Sequence, residues 1–329
     1  MTLTARLSLS GPDTPEPEDL LSSALGVIFP DDVTNQHGDA DHGLVYTSPH
    51  LPHPLELALA EVKAETDRQL FSHYLWNSSL LLAELIEADT LRLGLGGGQE
   101  SRRPRVDIDA GAPPPPPPPP EPTGFDVAGL ATIELGAGTA LPSIMAGLLG
   151  ARRVVVTDYP APPILKTLRH NVARNIQPRL APPCRFAAEE VLVEGHEWGE
   201  AGLDTPFARG NRHAFDRVLA ADCLWMPWQH ENLRRSVAWF LGEGEGARAW
   251  VVGGFHTGRD RMRGFFDKEA LGAVGLEVER IWERDCNGQD REWVWDRGIE
   301  DVTVRKRWLA VAVLRRIRKS AGESGGVCQ

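Results

Sequence analysis

The sequence feature that most constrains the fold is the decapeptide I-E-L-G-A-G-T-A-L-P at residues 133–142, between an apolar run and a helix-like run. Its glycines, Gly136 and Gly138, let the backbone turn sharply and approach a ligand, because glycine has no Cβ and takes positive φ at little cost. Leu141 stands where the dinucleotide-binding fingerprint G-x-G-x-x-G requires a third glycine. The turn predicts an α/β fold that binds a nucleotide-like ligand after a strand.

The residue ahead of the turn narrows the chemistry of that ligand. Glu134 is acidic, and a carboxylate repels a pyrophosphate but attracts a cation. These features favour a ligand that joins a ribose to a positive charge, and S-adenosylmethionine is such a ligand. They disfavour a nicotinamide-dependent oxidoreductase, the competitor with the same fold. We expect S-adenosylmethionine as the cofactor, with Glu134, Gly136 and Gly138 among the residues that bind it.

From residue 125 onward, short β-type runs alternate with helical ones. The pattern predicts strands at residues 130–134, 154–157, within 184–193, 215–220 and 249–252, and helices at 143–149, 164–175, 228–240 and near 259–271. This alternation is typical of βαβ units, so we expect an α/β fold with a mostly parallel sheet and helices on both faces. Strand-like runs at 278–282 and 308–314 are joined by a polar loop without a clear helix. They are expected to pair antiparallel at one edge.

The rest of the chain divides by composition. Residues 1–19 are polar and are expected to be disordered. Residues 20–92 are interpreted as an extension packed on the main domain, with a helix within residues 65–87. Residues 93–124 form a Gly/Pro-rich insert containing eight consecutive prolines, 113–120, which predict a polyproline II spacer. Residues 125–318 are the predicted core, and 319–329 a flexible tail.

Charge and cysteine content exclude several functional classes. A net charge of −11 argues against sequence-independent binding of nucleic acid, which needs Lys and Arg to neutralise phosphates, and is compatible with a basic protein substrate. None of the four cysteines lies in a C-x-x-C pair, so we expect neither a disulfide framework nor a metal site. No run of apolar residues is long enough to span a membrane. We therefore expect a soluble cytoplasmic protein, with the nucleus as an alternative location.

Asp158 is the acidic partner that the glycine turn requires. It ends the run Val154-Val-Val-Thr-Asp158, twenty residues beyond Gly138. In folds of this kind an acidic side chain at about this distance accepts hydrogen bonds from ribose hydroxyls. The alternative is an Asp that only caps the turn before Pro160.

Three segments together resemble a known family. They are residues 134–143 (ELGAGTALPS), 154–160 (VVVTDYP) and 168–175 (LRHNVARN). They are similar to the seven-strand S-adenosylmethionine methyltransferases of the lysine-methyltransferase group called family 16, and most to fungal nicotinamide N-methyltransferase-like proteins. Some of these methylate the N-terminus and a nearby lysine of translation elongation factor 1A. The resemblance implies a Rossmann-like seven-strand sheet, mostly parallel with an antiparallel edge strand, and methyltransferase activity.

The resemblance also assigns roles to two tryptophans. H-Y-L-W-N at residues 73–77 is similar to the family's Trp motif, which implies that Trp76 packs beside the cofactor's methionine end. An aromatic face attracts a sulfonium cation by about 0.5 to 2 kcal/mol. Trp198, in E-W-G, resembles a Trp-Gly step that packs against adenine. The alternatives are a core Trp76 on a helix face and a Trp198 that serves only packing.

A second motif indicates which residues lie near the methyl acceptor. A-D-C-L-W at residues 221–225 resembles the family's acidic-x-x-aromatic motif, which implies that Ala221 contacts the cofactor while Asp222 and Trp225 face the transferred methyl group. Trp225 departs from the usual Tyr or Phe. The alternative is Asp222 as a helix N-cap and Trp225 as core.

The predicted reaction is in-line attack of a neutral nitrogen on the sulfonium methyl, which needs positioning more than a nucleophilic side chain. We expect a protein amine as acceptor, a lysine or an N-terminus, with a translation elongation factor as a candidate. The alternatives are a small-molecule N-methyltransferase and a catalytically silent S-adenosylmethionine-binding module. His170, His230 and His256 are scattered in the sequence and are not expected to act as bases.

Overall fold

The computed structural model describes residues 2–10, 34–38, 42–61, 74–93 and 124–318. The proline run, the tail at 319–329 and the first part of the helix predicted within 65–87 lie outside these residues. Within the described part of the chain, no helix is long and apolar enough to cross a membrane.

The described strands, in chain order, are β1 (Leu7–Ser10), β2 (Gln36–His37), β3 (Gly43–Tyr46), β4 (Leu55–Leu57), β5 (Leu75–Trp76), β6 (Ala131–Leu135), β7 (Arg153–Asp158), β8 (Glu190–Gly195), β9 (Arg217–Ala221), β10 (Arg248–Gly254), β11 (Leu276–Asp285), β12 (Asp290–Glu292) and β13 (Trp308–Arg316). The described helices are α1 (Asn77–Thr90), α2 (Leu141–Leu148), α3 (Pro162–Asn175), α4 (Glu200–Leu203), α5 (Pro206–Gly210), α6 (His230–Phe240), α7 (Arg259–Arg263), α8 (Lys268–Ala273) and α9 (Val302–Lys306).

Eight strands form the main sheet, in the order β12-β11-β13-β10-β9-β6-β7-β8. The five strands from β10 to β8 in that order are parallel to one another, whereas β13 runs antiparallel between β10 and β11. The short β12 adds an antiparallel strand at the edge. The predicted fold class, a mostly parallel α/β sheet with antiparallel strands, is confirmed, and β12 makes the sheet one strand wider than the seven expected.

Both faces of this sheet are buried because consecutive strand residues point to opposite sides. Val155 packs into the core on one face, while Val154 and Val156 pack on the other. The face with Val154 is covered by α1, α2 and α3, and the opposite face by α6, α7 and α8. The helical run predicted near residues 259–271 is broken into α7, a 3₁₀ turn and α8.

The N-terminal residues differ from the expectation of disorder. Residues 3–6 form a 3₁₀ turn, and β1 pairs antiparallel with β3, which pairs with β4. We call β1, β3 and β4 the N-terminal sheet. Arg6 anchors it, since its Nη1 donates to Glu87 Oε2 of α1 at 2.8 Å and to the Tyr46 hydroxyl at 3.0 Å. A buried ion pair therefore holds a segment whose composition alone indicated no order.

A second correction concerns the region around Trp76. The helical spacing was expected to include residues 74–76, but these precede α1, and Leu75–Trp76 is a strand that pairs with β2. Asn77 begins the helix and ties the two segments together, because its Nδ2 donates to Thr34 O at 2.9 Å. Trp76 is thus held in an extended segment.

Two asparagines of α3 join the N-terminal sheet to the main domain. Asn175 accepts from the backbone N–H of Glu56 and donates to its C=O, and Asn171 makes the same pair of bonds with Ala58. Asn171 Nδ2 also lies 3.2 Å from the Thr139 carbonyl in the glycine turn. The two asparagine side chains thereby satisfy the backbone N–H and C=O groups of Glu56 and Ala58, which would otherwise need a neighbouring strand as their partner.

Candidate active site

The glycine turn lies at the carboxyl end of β6, the central strand from which the chain proceeds first to one side of the sheet and then to the other. Ligands of open α/β sheets bind at such a switch point. Gly136 has φ +68°, and a Cβ there would lie 2.8 Å from the Trp198 ring and 2.9 Å from Cys223 Sγ. Gly138 has φ +56°. Position 136 therefore admits only glycine on steric grounds.

Asp158 ends β7 beside this turn, as predicted. Its Oδ2 accepts a hydrogen bond from the backbone N–H of Gly138 at 2.8 Å, and its Oδ1 accepts from that of Tyr159 at 2.7 Å. Burial raises the pKa of Asp158 from 3.8 to about 6, although both hydrogen bonds favour the carboxylate. Near neutral pH the group is therefore ionised and able to accept bonds from hydroxyl donors.

Glu134 does not lie where the sequence suggested. It is fully buried behind the turn, and its Oε2 accepts a hydrogen bond from the backbone N–H of Ser143, in the first turn of α2, at 3.0 Å. Burial raises its pKa to about 8, and the nearby charge of Asp158 adds to the shift. A largely protonated carboxyl behind the turn supports the start of α2 and presents no charge to a cation.

Asp222 follows β9 and is held in an unusual conformation. Its φ is +59°, a region that costs a non-glycine residue about 1 kcal/mol or more. Its Oδ1 accepts from Ser78 Oγ and from the Gly254 backbone N–H, both at 3.0 Å. Donors from two separate segments, α1 and the end of β10, thus fix this carboxylate and occupy Oδ1.

His256 joins two of the predicted site residues. Its ring stacks on Trp76, with ring centroids 4.9 Å apart and planes inclined by 22°. Its Nε2 lies 3.9 Å from Asp222 Oδ2. His256 follows β10, so the parallel order of the strands places it beside the site. That it does not act as a base stays a prediction.

One cavity collects most of the predicted residues. It is lined by Tyr74, Trp76, Ser79, Gly136, Ala137, Gly138, Thr139, Asp158, Tyr159, His196, Glu197, Trp198, Ala221, Asp222, Cys223, Trp225, Met226 and Gln229. Of the nine residues predicted for the site, only Glu134 is not among these. No Lys or Arg belongs to this described lining, whereas three carboxyl groups do. The cavity is therefore suited to a cationic ligand.

Sequence reasoning missed Ser78, His196 and His256. Ser78 directly follows Trp76 and Asn77, so its position next to the Trp motif could have marked it as a site residue. His196 lies after β8, where the parallel order would have placed it at the same edge. Burial lowers the pKa of His196 to about 4, so the ring is neutral and adds no positive charge to the cavity.

The sequence profile of the family described as lysine methyltransferase matches residues 63–267. The chain belongs to the lysine methyltransferase family. It is accordingly an S-adenosylmethionine-dependent methyltransferase, and the predicted family, enzyme class and cofactor are confirmed. The cavity fits the cofactor, since it offers a turn with glycine at positions 136 and 138, a buried ionised Asp158 and aromatic rings.

The curated proteins that this methyltransferase resembles include fungal enzymes. The protein N-terminal and lysine N-methyltransferase EFM7 of Gibberella zeae is 27% identical over 226 residues, which are 65% of this chain and 69% of that protein. EFM7 of Eremothecium gossypii is 37% identical over 127 residues, but these cover 38% of this chain and less than half, 46%, of that relative. Among solved structures, the ribosomal protein L11 methylase of Lactobacillus delbrueckii has a TM-score of 0.36 at 15% identity, covering 58% of this chain and 72% of that chain.

Proposed function

We propose that this methyltransferase transfers a methyl group to an amine of a protein, a lysine or an N-terminus. The observation that carries the proposal is the fixed Asp222 carboxylate, which lines the same cavity as the glycine turn and Asp158. Because Oδ1 is already bonded to Ser78 and Gly254, Oδ2 is the oxygen left to orient an incoming amine. The names of the EFM7 relatives support an acceptor on a protein.

The cofactor-binding roles follow from position in the cavity. Asp158 would accept hydrogen bonds from the ribose hydroxyls, beside Gly136, Gly138 and Ala221, which leave room for backbone contact. Trp198, packed over Gly136, would contact the adenine. Trp76 would face the sulfonium, whose charge an aromatic ring stabilises by about 0.5 to 2 kcal/mol.

The reaction depends on placing the amine in line with the methyl group. When bound, S-adenosylmethionine supplies an electrophilic methyl group. Asp222 Oδ2 would accept a hydrogen bond from the neutral amine and hold it toward the methyl group, while Trp225 would close the side of the acceptor space. Transfer would release S-adenosylhomocysteine, and the surplus proton on the methylated nitrogen would pass to Asp222 or to water. Such positioning can contribute about 7 to 11 kcal/mol toward the barrier.

Translation elongation factor 1A is the acceptor that we propose to test first, because proteins that the sequence resembles modify it. The experiment measures transfer of tritiated methyl groups to elongation factor 1A and, in parallel, to nicotinamide. Incorporation into the protein at its N-terminus or at lysine is expected. Label in nicotinamide alone would instead identify a small-molecule enzyme, and binding of S-adenosylmethionine without transfer to either would favour a silent module.

The variant Asp222→Asn tests the role of the carboxylate. It keeps an acceptor for Ser78 and Gly254 but loses the negative charge, so we expect kcat to fall by about 100-fold or more. Calorimetry should show S-adenosylmethionine affinity close to that of the unaltered protein. Equal losses of affinity and turnover would contradict the role given to Asp222.

A further inference from the structure

Trp228 is a large aromatic residue on the surface next to the cavity. Its side chain is 67% exposed, whereas most large apolar residues of the described chain are buried. It lies in the 3₁₀ turn Pro227–Gln229 after β9, between Met226 and Gln229, which both line the cavity. A Trp exposed at the edge of a binding cavity is a typical contact residue for a partner.

The indole of Trp228 is held against a residue of the cavity. Its ring meets the edge of Trp225, with centroids 6.2 Å apart and planes at 89°, and Trp225 lines the cavity. Trp228 therefore continues the aromatic wall of the acceptor space onto the surface. Tyr159, 42% exposed after β7, lies on the other side of the central strand β6, so exposed aromatic rings flank the mouth on both sides.

The negative charge of the cavity lining favours a positively charged partner. The exposed Glu197 lines the cavity together with the carboxylates of Asp158 and Asp222, and no Lys or Arg is among the described lining residues. A Lys or Arg side chain stacks favourably on an indole, and neighbouring carboxylates strengthen its attraction to the site. An acidic segment would meet only like charge here.

We propose that Trp228 docks a Lys- or Arg-containing segment of the protein substrate next to the amine that is methylated. This inference rests on the proposed protein N-methyltransferase function. It explains how a cavity that also accommodates the cofactor discriminates a protein chain from a free amine, since the selective contact lies outside the cavity.

Kinetics of Trp228→Ala test the inference, with elongation factor 1A and nicotinamide as the two probes. For elongation factor 1A we expect KM to rise by about tenfold or more with kcat within about twofold, because a central aromatic anchor contributes this much to an interface. Trp228→Phe should recover part of the loss. The matched control is Trp295→Ala, which removes another exposed Trp, 48% accessible, from the loop after β12. Its KM should match that of the unaltered enzyme.

The outcomes separate the two proposals. If the unaltered enzyme methylates elongation factor 1A but Trp228→Ala leaves its KM unchanged, the docking role is overturned while the proposed function stands. An equal rise in KM from Trp295→Ala, or weaker S-adenosylmethionine binding by Trp228→Ala, would also overturn it. If the unaltered enzyme methylates nicotinamide and not the protein, the proposed function fails and the docking role fails with it.

Discussion

Asp158 and Glu134 are two carboxyl groups beside the glycine turn, and their surroundings give them different pKa values. Both are buried, which raises both pKa values. Asp158 accepts two backbone hydrogen bonds and keeps a pKa of about 6, whereas Glu134 accepts one from Ser143 and has a pKa of about 8. Around neutral pH the first is therefore mainly charged and the second mainly neutral.

This difference predicts how cofactor binding depends on pH. In its proposed role Asp158 accepts hydrogen bonds from ribose hydroxyls in its ionised form. Affinity for S-adenosylmethionine should then be full above a pH of about 6 and should weaken as the pH falls through that value. Asp158→Asn should bind more weakly, by about tenfold, with little change across this range, because each hydrogen bond to a charged group contributes about 1.5 to 3 kcal/mol. Calorimetry at several pH values measures both. A pH-dependent affinity that persists in Asp158→Asn would assign the effect to another group.

Glu134 predicts that the stability of the fold falls as the pH rises. Its folded pKa lies above the ordinary value of 4.5, so the folded state binds the proton more tightly and loses stability as the pH rises from about 4.5 to about 8. Glu134→Gln is always neutral and can still accept from Ser143. The free energy of unfolding of the variant, relative to the unaltered protein, should rise by roughly 1 to 2 kcal/mol between about pH 6 and about pH 8. Urea unfolding measures it, and a constant difference would contradict the prediction.

The residue-level positions that the sequence predicted share one property. Gly136, Asp158 and Asp222 each lie at the carboxyl end of an apolar strand, so the parallel order of the strands fixes where they lie. Glu134 was misplaced because an acidic residue inside a strand can face either the ligand or the start of the next helix, and local sequence does not distinguish these. His256 could not be found because its contacts with Trp76 and Asp222 join segments far apart in the chain.

At the scale of elements, the N-terminal sheet depends on the buried pair of Arg6 and Glu87. The Glu87 side chain is 1% exposed and also accepts from the Ser48 hydroxyl. Composition could not predict this arrangement, since β1 is the half-polar segment Leu-Ser-Leu-Ser and the partner carboxylate lies 81 positions away. Tertiary contacts hold the N-terminal sheet in place. The strands of the main sheet, in contrast, can be predicted from their own apolar runs.

Removal of Arg6 is expected to be strongly destabilising. Arg6→Ala leaves the Glu87 carboxylate buried without its cation, which should lower the free energy of unfolding by about 3 kcal/mol or more. The double variant Arg6→Met, Glu87→Met removes both charges and should recover most of that loss. Arg209→Ala breaks an exposed ion pair with Asp204 and should cost less than about 1 kcal/mol. Urea unfolding compares all three, and a double variant no better than Arg6→Ala would refute the explanation.

At the scale of the whole molecule, the segments on either side of the proline-containing insert are bonded to each other. The Phe125 backbone N–H donates to Asp89 Oδ2 at 2.7 Å, and that of Val127 donates to Thr90 Oγ1 at 3.2 Å. The end of α1 and the start of the core are therefore bonded to each other directly.

Shortening the insert should leave the enzyme intact. Deletion of residues 111–120 shortens a segment whose flanking residues are already held together, which should change the free energy of unfolding by less than about 1 kcal/mol. Methyl transfer to elongation factor 1A and to nicotinamide should keep the kcat of the full chain. A folded deletion variant that binds S-adenosylmethionine but transfers no methyl group would show instead that the insert contributes to the site.

The backbone bond between Leu3 N–H and Cys286 O, 2.9 Å long, joins residues that are synthesised far apart in time. A chain that emerges from the ribosome N-terminus first exposes its earliest residues long before their partner is made. Asn171 and Asn175, which hold β4, also arrive more than a hundred residues after it. The bond between Leu3 and Cys286 therefore forms only after residue 286 has been translated, and contacts of such long sequence separation make folding slow and vulnerable to aggregation.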